Sequence, residues 1–230
     1  MSNVTTAATL TSADLTNKGE TLRAFLRIDS ARIVASFVAV LLVLRLVIGG
    51  WGRGDVIVAV ITLLLVGVFE WVVHLFLLHA PEDSFRMTKL GTGTGHREHH
   101  LDPTHMGHLL LARNDAALFS VMFAGFTASW TLPLLWITGS VLLAPYVTAY
   151  LLAAIGLLHY EWTHLLVHTK YRPKSRYYKR LARNHRLHHF RNEHYWLGVT
   201  SNLGDRVLQT LPADKSDVPL SETALSLIHI

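Results

Sequence analysis

The chain has 230 residues, of which 50% are hydrophobic and only 16% are charged. That balance is too apolar for an ordinary soluble protein and favours a membrane protein with one main domain. There is no cysteine, which excludes disulfides, thiolate metal sites and iron–sulfur clusters and leaves histidine as the obvious metal ligand. The net charge of +5 is explained better by membrane topology than by nucleic acid, and no nucleic-acid partner is predicted.

The chain begins with a polar segment of 30 residues that lacks the pattern of a cleaved signal peptide. Within it, Leu22–Arg27 is a candidate for an interfacial amphipathic turn. Four apolar stretches follow, and each supplies most of the roughly 20 residues that a spanning helix needs. They are Ile33–Gly50, Val56–Phe69 with an extension to His79, Ala116–Ile137, and Val141–Leu158 with an extension to His168.

Two short connections, Gly49–Gly54 and Thr138–Ser140, are predicted on one side of the membrane. The other side carries 19 of the 21 Lys and Arg residues, so the positive-inside rule places both termini in the cytoplasm. We predict an all-α integral membrane protein with four transmembrane helices and a cytoplasmic helical cap that holds a histidine-ligated dimetal site. The predicted domains are a polar segment (1–30), a membrane domain (31–212) and a C-terminal tail (213–230).

Ten of the 15 histidines lie in four motifs at the cytoplasmic ends of the second and fourth spans or beyond them. Two of these motifs are H-x-x-H-H, in which positions i, i+3 and i+4 lie close together on a helix. Ten imidazoles are too many for one metal ion and enough for two, and imidazole suits Fe, Zn, Cu and Ni. A protonated, lipid-binding surface would also use histidines, but it would not require this repeated spacing. The motifs are His74-x4-His79, His96-x-x-His99-His100, His164-x3-His168 and His185-x-x-His188-His189.

The spacing between His74 and His79 is unusual, because five residues place two side chains about 140° apart on a regular α-helix. Two explanations are open. Each histidine could serve a different ion, or the helix could carry a π-bulge at this point.

Acidic residues near the motifs are candidates to support the ligands, since metal-bound histidines usually donate their second N–H to a carboxylate or a carbonyl. Glu161 and Asp205 are predicted to act in catalysis in this way, ahead of Glu70 and Asp102. The alternative for each is a salt bridge with one of the many arginines.

The segment His159–Pro212 contains Glu161-Trp162-Thr163-His164, then His185-Arg186-Leu187-His188-His189-Phe190, then Gly204-Asp205-Arg206. In order and spacing this resembles the fatty acid hydroxylase/sterol desaturase superfamily of membrane dimetal enzymes, and most closely its ceramide/fatty acid 2-hydroxylase branch. Together with the upstream H-x4-H and H-x-x-H-H motifs, the resemblance covers residues 56–212.

The resemblance implies two iron ions, for which zinc can substitute in purified protein, and O2 as co-substrate. It implies O2-dependent hydroxylation or desaturation of an unactivated C–H bond on a lipid, with two electrons from an external donor. Thr169 stands where some 2-hydroxylases have a further histidine, and the 30 polar residues are too few for a fused cytochrome b5 domain. The implied ligands are His74, His79, His96, His99, His100, His164, His168, His185, His188 and His189.

We therefore interpret the chain as a di-iron membrane hydroxylase whose substrate is a lipid from the bilayer, with a fatty acyl chain as the first choice. A sterol or carotenoid hydroxylase or desaturase of the same superfamily is the alternative. The tail beyond residue 168 carries 11 Lys and Arg residues, which suits an acidic electron donor of ferredoxin or cytochrome b5 type.

Two other classes are weaker interpretations. A histidine-rich metal transporter would place its ligands near the membrane midplane. A zinc hydrolase would need an H-E-x-x-H motif, which the sequence does not contain.

Overall fold

The computed structural model describes residues 11–81, 83–84, 93–137 and 143–228, and all regular elements among them are helical. Extended backbone pairs there only in an isolated bridge between Thr11 and His105. The α-helices are α1 (Lys18–Phe25), α2 (Asp29–Ile48), α3 (Arg53–Val73), α4 (Thr94–Leu101), α5 (Met106–Leu109), α6 (Arg113–Ile137), α7 (Leu143–Val167), α8 (Arg176–Phe190), α9 (Leu203–Val207) and α10 (Glu222–Ile228).

Four segments are long and apolar enough to cross a membrane, which confirms the predicted all-α fold with four spanning helices. The predicted connection Thr138–Ser140 lies outside the described residues, and the cytoplasmic side of the protein remains a prediction. The four segments are Asp29–Ile48, Arg53–Leu78, Met106–Leu134 and Leu143–Val167.

Residues 27–66 and 112–160 form one compact unit, here called the membrane unit. Two of its buried hydroxyls bond within their own helices: Thr62 donates to the Val58 carbonyl at 2.6 Å and Thr127 donates to the Phe123 carbonyl at 2.7 Å. This matters in lipid, where no water is present to accept a hydrogen bond. Large apolar side chains face outward, including Trp136, which is 85% exposed, as a lipid-facing surface requires.

One arginine is fully buried in the membrane unit, and its charge is paired. The Arg45 guanidinium donates to the Asp55 carboxylate at 2.7 Å and to the Thr148 hydroxyl at 2.6 Å. It also lies 3.5 Å from the centre of the Trp51 ring. Gly49 and Gly50 have φ near +60°, a backbone conformation that favours glycine. The predicted Gly-rich turn between the first two spans is therefore present.

The other compact unit contains the described residues up to 26, together with 67–111 and 161 onward; it is here called the histidine unit. Helix α8 begins where the Ser175 hydroxyl accepts the Tyr178 amide, a typical N-cap. Beyond α8, the Arg191 side chain donates to the Val218 carbonyl at 2.6 Å and the Thr223 hydroxyl donates to Glu193 at 3.1 Å. The C-terminal segment is thus bound to the end of α8.

Candidate metal centre

The ten motif histidines form two groups of five in the histidine unit. Within each group, one ring nitrogen per residue lies within 4.8 Å of the corresponding atoms of the other four. Cluster A consists of His74, His79, His96, His100 and His188, and cluster B of His99, His164, His168, His185 and His189.

Each H-x-x-H-H motif is shared between the two clusters. On α4, His96 and His100 belong to cluster A while His99 belongs to cluster B. On α8 the arrangement is reversed, because His188 belongs to cluster A and the two histidines one turn apart belong to cluster B. Adjacent residues on a helix diverge by about 100°, so a single motif reaches two sites, and the two helices together join the two clusters.

The spacing of His74 and His79 is explained by a π-helical turn at His74–Leu78. The His79 amide donates to the His74 carbonyl at 3.0 Å, which is the i to i+5 bond of a π-turn. The extra residue brings both rings to the same side, with centroids 5.0 Å apart. Of the two explanations that the sequence left open, the structure therefore has the π-bulge, and both histidines lie in cluster A.

The cluster histidines are held in the neutral form that binds metals. Burial lowers the pKa of His168 to about 3 and holds the pKa values of His96 and His99 well below the ordinary histidine range. The same cause keeps the pKa of His185 and of His188 well below that range. Buried, neutral imidazoles do not fit a protonated, lipid-binding histidine surface.

Two ring tautomers can be read from the backbone contacts. His188 donates its Nδ1–H to the Tyr195 carbonyl at 3.0 Å, and His74 donates its Nδ1–H to the Leu197 carbonyl. In a neutral imidazole the other nitrogen, Nε2, is then an acceptor only. These Nε2 atoms nevertheless lie close to other ring nitrogens, at 3.2 Å from His100 and 3.0 Å from His96, respectively.

Several ring nitrogens that converge at about 3 Å fit a cation placed among them. Metal–imidazole bonds are about 2.0–2.1 Å long, so two ligands at right angles have nitrogens about 2.9 Å apart. The Nε2 separation is 3.1 Å between His99 and His168, and also 3.1 Å between His185 and His189. The donor set of both clusters therefore fits a transition metal ion.

The carboxylates singled out from the sequence hold the backbone near the histidines. Asp205, which is fully buried, accepts the Leu197 and Gly198 amides at 2.9 and 2.8 Å and the Thr210 hydroxyl at 2.7 Å. Among the described residues, Asp205 thus holds the backbone at Leu197 and Gly198, and the Leu197 carbonyl in turn orients the His74 ring. The predicted direct bond from Asp205 to a ring is replaced by a link through one peptide unit.

Glu70, which the sequence placed behind Glu161 and Asp205 as a supporting carboxylate, makes several backbone contacts near the clusters. It accepts the amides of Val199 and Thr200, the latter at 2.9 Å, and also the Thr200 hydroxyl. Together with Asp205 it fixes both ends of residues 197–200. Gly198 is required there, because a Cβ atom at that position would lie 1.9 Å from the Ser201 carbonyl oxygen.

Glu161 and Asp102 follow the same pattern on the side of cluster B. Glu161 is fully buried and accepts the Leu111 amide at 3.3 Å. The His164 ring is hydrogen-bonded to the carbonyl of Leu109, two residues earlier in the chain. Asp102 accepts the Thr104 amide and hydroxyl, and the Pro103 carbonyl between them is bonded to the His168 ring.

The other histidines that the structure describes do not join the clusters. The rings of His105 and His108 stack on each other with centroids 4.9 Å apart, and His229 lies outside the described residues. His194 lines a cleft of about 320 Å³ that also contacts His79 and His100. Cluster A is therefore reached from this cleft, which sequence reasoning did not locate.

Comparison with known proteins agrees with this geometry. The family model described as fatty acid hydroxylase matches residues 58–210, about two thirds of the chain. The chain is 31% identical over 140 residues to the beta-carotene hydroxylase of Paracoccus sp. strain PC1, and 30% identical over 139 residues to that of Paracoccus sp. strain N81106. Each match covers 58% of this chain and 73% of the relative.

Among solved structures, the full-length Scs7p protein, of which only the hydroxylase domain is visible, has a similar fold. The TM-score is 0.58 at 19% identity, covering 90% of this chain and 70% of that one. The family match, its hydroxylase relatives and the four apolar helices lead to one conclusion: the chain belongs to the fatty acid hydroxylase family and is a membrane hydroxylase that acts on lipids.

Proposed function

We propose that the protein is a di-iron oxygenase that uses O2 to hydroxylate a fatty acyl chain drawn from the bilayer. The observation that carries this proposal is the pair of five-histidine clusters, whose neutral imidazoles direct nitrogens at one another about 3 Å apart. Cluster A would hold one iron and cluster B the other. When bound, the two ions supply the activation of O2 that attack on an unreactive C–H bond requires.

The chain's own residues would place the substrate and exclude water. The cleft on cluster A combines apolar side chains, among them Leu78 and Leu101, with the polar side chains of Arg97 and His194. An acyl chain packed against the apolar part would bring a carbon close to His79 and His100. The carboxylates Glu161 and Asp205 support this arrangement by holding the backbone carbonyls that orient the ligand rings.

The outer face of α8 is the proposed docking surface for the electron donor. Its exposed residues are basic apart from Phe190 at its end, and the helix contains no acidic residue, while its buried face carries His185, His188 and His189. A donor with an acidic surface, of ferredoxin or cytochrome b5 type, would be attracted there. It would then lie about one helix diameter, roughly 10 Å, from ligands of both clusters. The exposed basic residues are Arg176, Lys179, Arg180, Arg183 and Arg186.

A carotenoid is the second candidate substrate, and the two Paracoccus beta-carotene hydroxylases favour it. Lipid profiling of cells grown under ¹⁸O2 separates the two candidates. We expect one labelled oxygen in a fatty acyl product when the chain is expressed, and none when His188→Ala is expressed instead. Labelled xanthophyll in carotenoid-producing cells would transfer the proposal to carotenoids, and no labelled lipid of either kind would overturn it.

Metal analysis tests the centre itself. Protein purified from iron-replete cells is expected to contain close to two transition metal ions per chain, with zinc as the substitute when iron is scarce. A reproducible content of one ion or fewer would contradict a dimetal site.

A further inference from the structure

A second cleft, of about 240 Å³, lies on the histidine unit and has no histidine in its lining. Leu166, which is buried, forms part of it together with Tyr171 and Tyr178, and the side chains of Lys18 and Lys174 are exposed around it. Two lysine ammonium groups and two tyrosine rings thus surround a small apolar floor formed by Leu166. Nothing in the hydroxylase chemistry uses this cleft.

The cleft lies at the end of a membrane-spanning helix. The apolar segment Leu143–Val167 ends one residue after Leu166. At about 1.5 Å per residue this helix is longer than the roughly 30 Å of the hydrocarbon core, so its last turn reaches the headgroup region. Trp162, one turn earlier, packs edge-on against Phe25 of α1 with ring centroids 5.5 Å apart. Tyrosine and tryptophan are enriched at this level of a membrane protein, where lipid headgroups begin.

The two sides of the cleft are tied to each other. The Lys170 amide donates to the Leu15 carbonyl at 3.0 Å, and the Ser12 hydroxyl donates to the His168 carbonyl at 2.9 Å. Lys18 therefore follows a segment that is hydrogen-bonded to the chain leading to Lys174. The two lysines therefore lie on chain segments that are hydrogen-bonded to each other.

The nearby acids bond to neutral groups rather than to the two lysines. Asp14 accepts the amide and hydroxyl of Thr11, and Glu20 accepts those of Thr16. Among the described residues, no salt bridge involves Lys18 or Lys174. In the described structure, both ammonium groups therefore have no acidic partner and can contact a lipid phosphate.

We propose that this cleft binds the headgroup of an anionic phospholipid. Lysine ammonium groups are common phosphate ligands, and the Tyr171 hydroxyl can donate to a phosphate or glycerol oxygen. The volume is smaller than the roughly 300–1,000 Å³ of pockets that enclose drug-sized ligands, as suits a headgroup whose acyl chains stay in the bilayer. The site does not depend on the metals or on the identity of the hydroxylated lipid.

Lipid retention by the full-length protein tests this. The protein is reconstituted in vesicles of equal parts phosphatidylglycerol and phosphatidylcholine, extracted gently, and examined by native mass spectrometry. The wild type is expected to retain phosphatidylglycerol in preference to phosphatidylcholine. Lys18→Gln/Lys174→Gln should lower that preference by about tenfold or more, given the usual contribution of a basic residue near an anionic surface.

The matched control, Arg32→Gln/Lys215→Gln, removes the same charge from exposed positions elsewhere and should keep the preference. Lys18→Arg/Lys174→Arg should also keep it, which guards against a trivial folding defect in the glutamine variant. Equal retention of both lipids by the wild type, or an equal loss in the control, would overturn the proposal. Displacement of the lipid by millimolar inorganic phosphate would assign the cleft to a soluble anion and overturn it as well.

Discussion

Single residues orient the cluster imidazoles through the peptide backbone. The carbonyls of Leu197 and Tyr195 accept ring N–H groups, and carboxylates hold the chain around such carbonyls. The ten histidines were identifiable from the sequence because their spacing is distinctive. The accepting carbonyls were not, because every residue has one and only the fold decides which of them faces a ring.

Replacing His188 by alanine is expected to lower activity by more than about 100-fold, beyond the usual effect of losing an outer partner of a metal ligand. His188 supplies a nitrogen to cluster A, and its ring is fully buried, so no neighbour can take its place. The matched control is His108→Ala, at an exposed position outside both clusters. Turnover is measured per folded molecule, and an equal loss in both variants would show that histidine position does not matter.

Asp205→Asn is expected to lower turnover by about tenfold while much of the metal stays bound. This is within the usual effect of losing a residue that supports a metal ligand without binding the metal itself. The asparagine amide cannot accept the Leu197 and Gly198 amides together, so the Leu197 carbonyl that orients His74 loses its support. Metal content and turnover are measured on the same folded fraction, with Asp29→Asn, at an exposed position, as the control. Unchanged turnover per folded molecule would limit Asp205 to a structural role.

At the scale of elements, hydropathy located all four spanning helices. The predicted ends lie within a few residues of the observed helix ends, although the apolar segment that contains α6 begins at Met106, ten residues before the predicted start. Hydropathy could not locate the π-turn at His74–Leu78, for which the only sequence signal was the five-residue spacing of two histidines. It also gave no sign that residues beyond 213 bind to the chain at 191–193, because those contacts use ordinary carbonyls and hydroxyls. The domain limits at 30 and 212 remain predictions.

The close packing of α9 on the end of α3 predicts that Gly204→Ala destabilises the protein. An added Cβ atom would lie 2.4 Å from the Trp71 Cβ atom and 3.0 Å from the Gly67 carbonyl oxygen. Overpacking of this kind costs about 1–3 kcal/mol, and it would also move Asp205, the next residue. Thermal unfolding in detergent measures the effect.

Gly125→Ala is the control for that substitution, since nothing lies within 4 Å of an added Cβ atom there. Alanine in a helix interior is favoured over glycine by about 1 kcal/mol, so this variant should be as stable as the wild type or slightly more stable. A Gly204→Ala protein that unfolds at the wild-type temperature would contradict the packing argument.

At the scale of the whole molecule, charge asymmetry predicts the orientation in the membrane. Arg45 and Arg53 are the only Lys or Arg residues assigned to the side opposite the termini, and Arg45 is buried and paired with Asp55. We therefore expect both termini and both histidine clusters to face the cytoplasm, where a soluble electron donor can reach α8.

The absence of cysteine makes this orientation directly testable, because a single introduced thiol is the only one that can react. Gly52→Cys places it in the turn between α2 and α3, where an added side chain meets nothing within 4 Å, and Lys215→Cys places it at an exposed position in the C-terminal segment. In intact cells, a membrane-impermeant maleimide is expected to label Gly52→Cys and to spare Lys215→Cys; after the membrane is opened, both should react. The reverse pattern would put the clusters on the outer side, away from cytoplasmic reductant, and the proposed oxygenase mechanism would then fail even if both clusters bind metal.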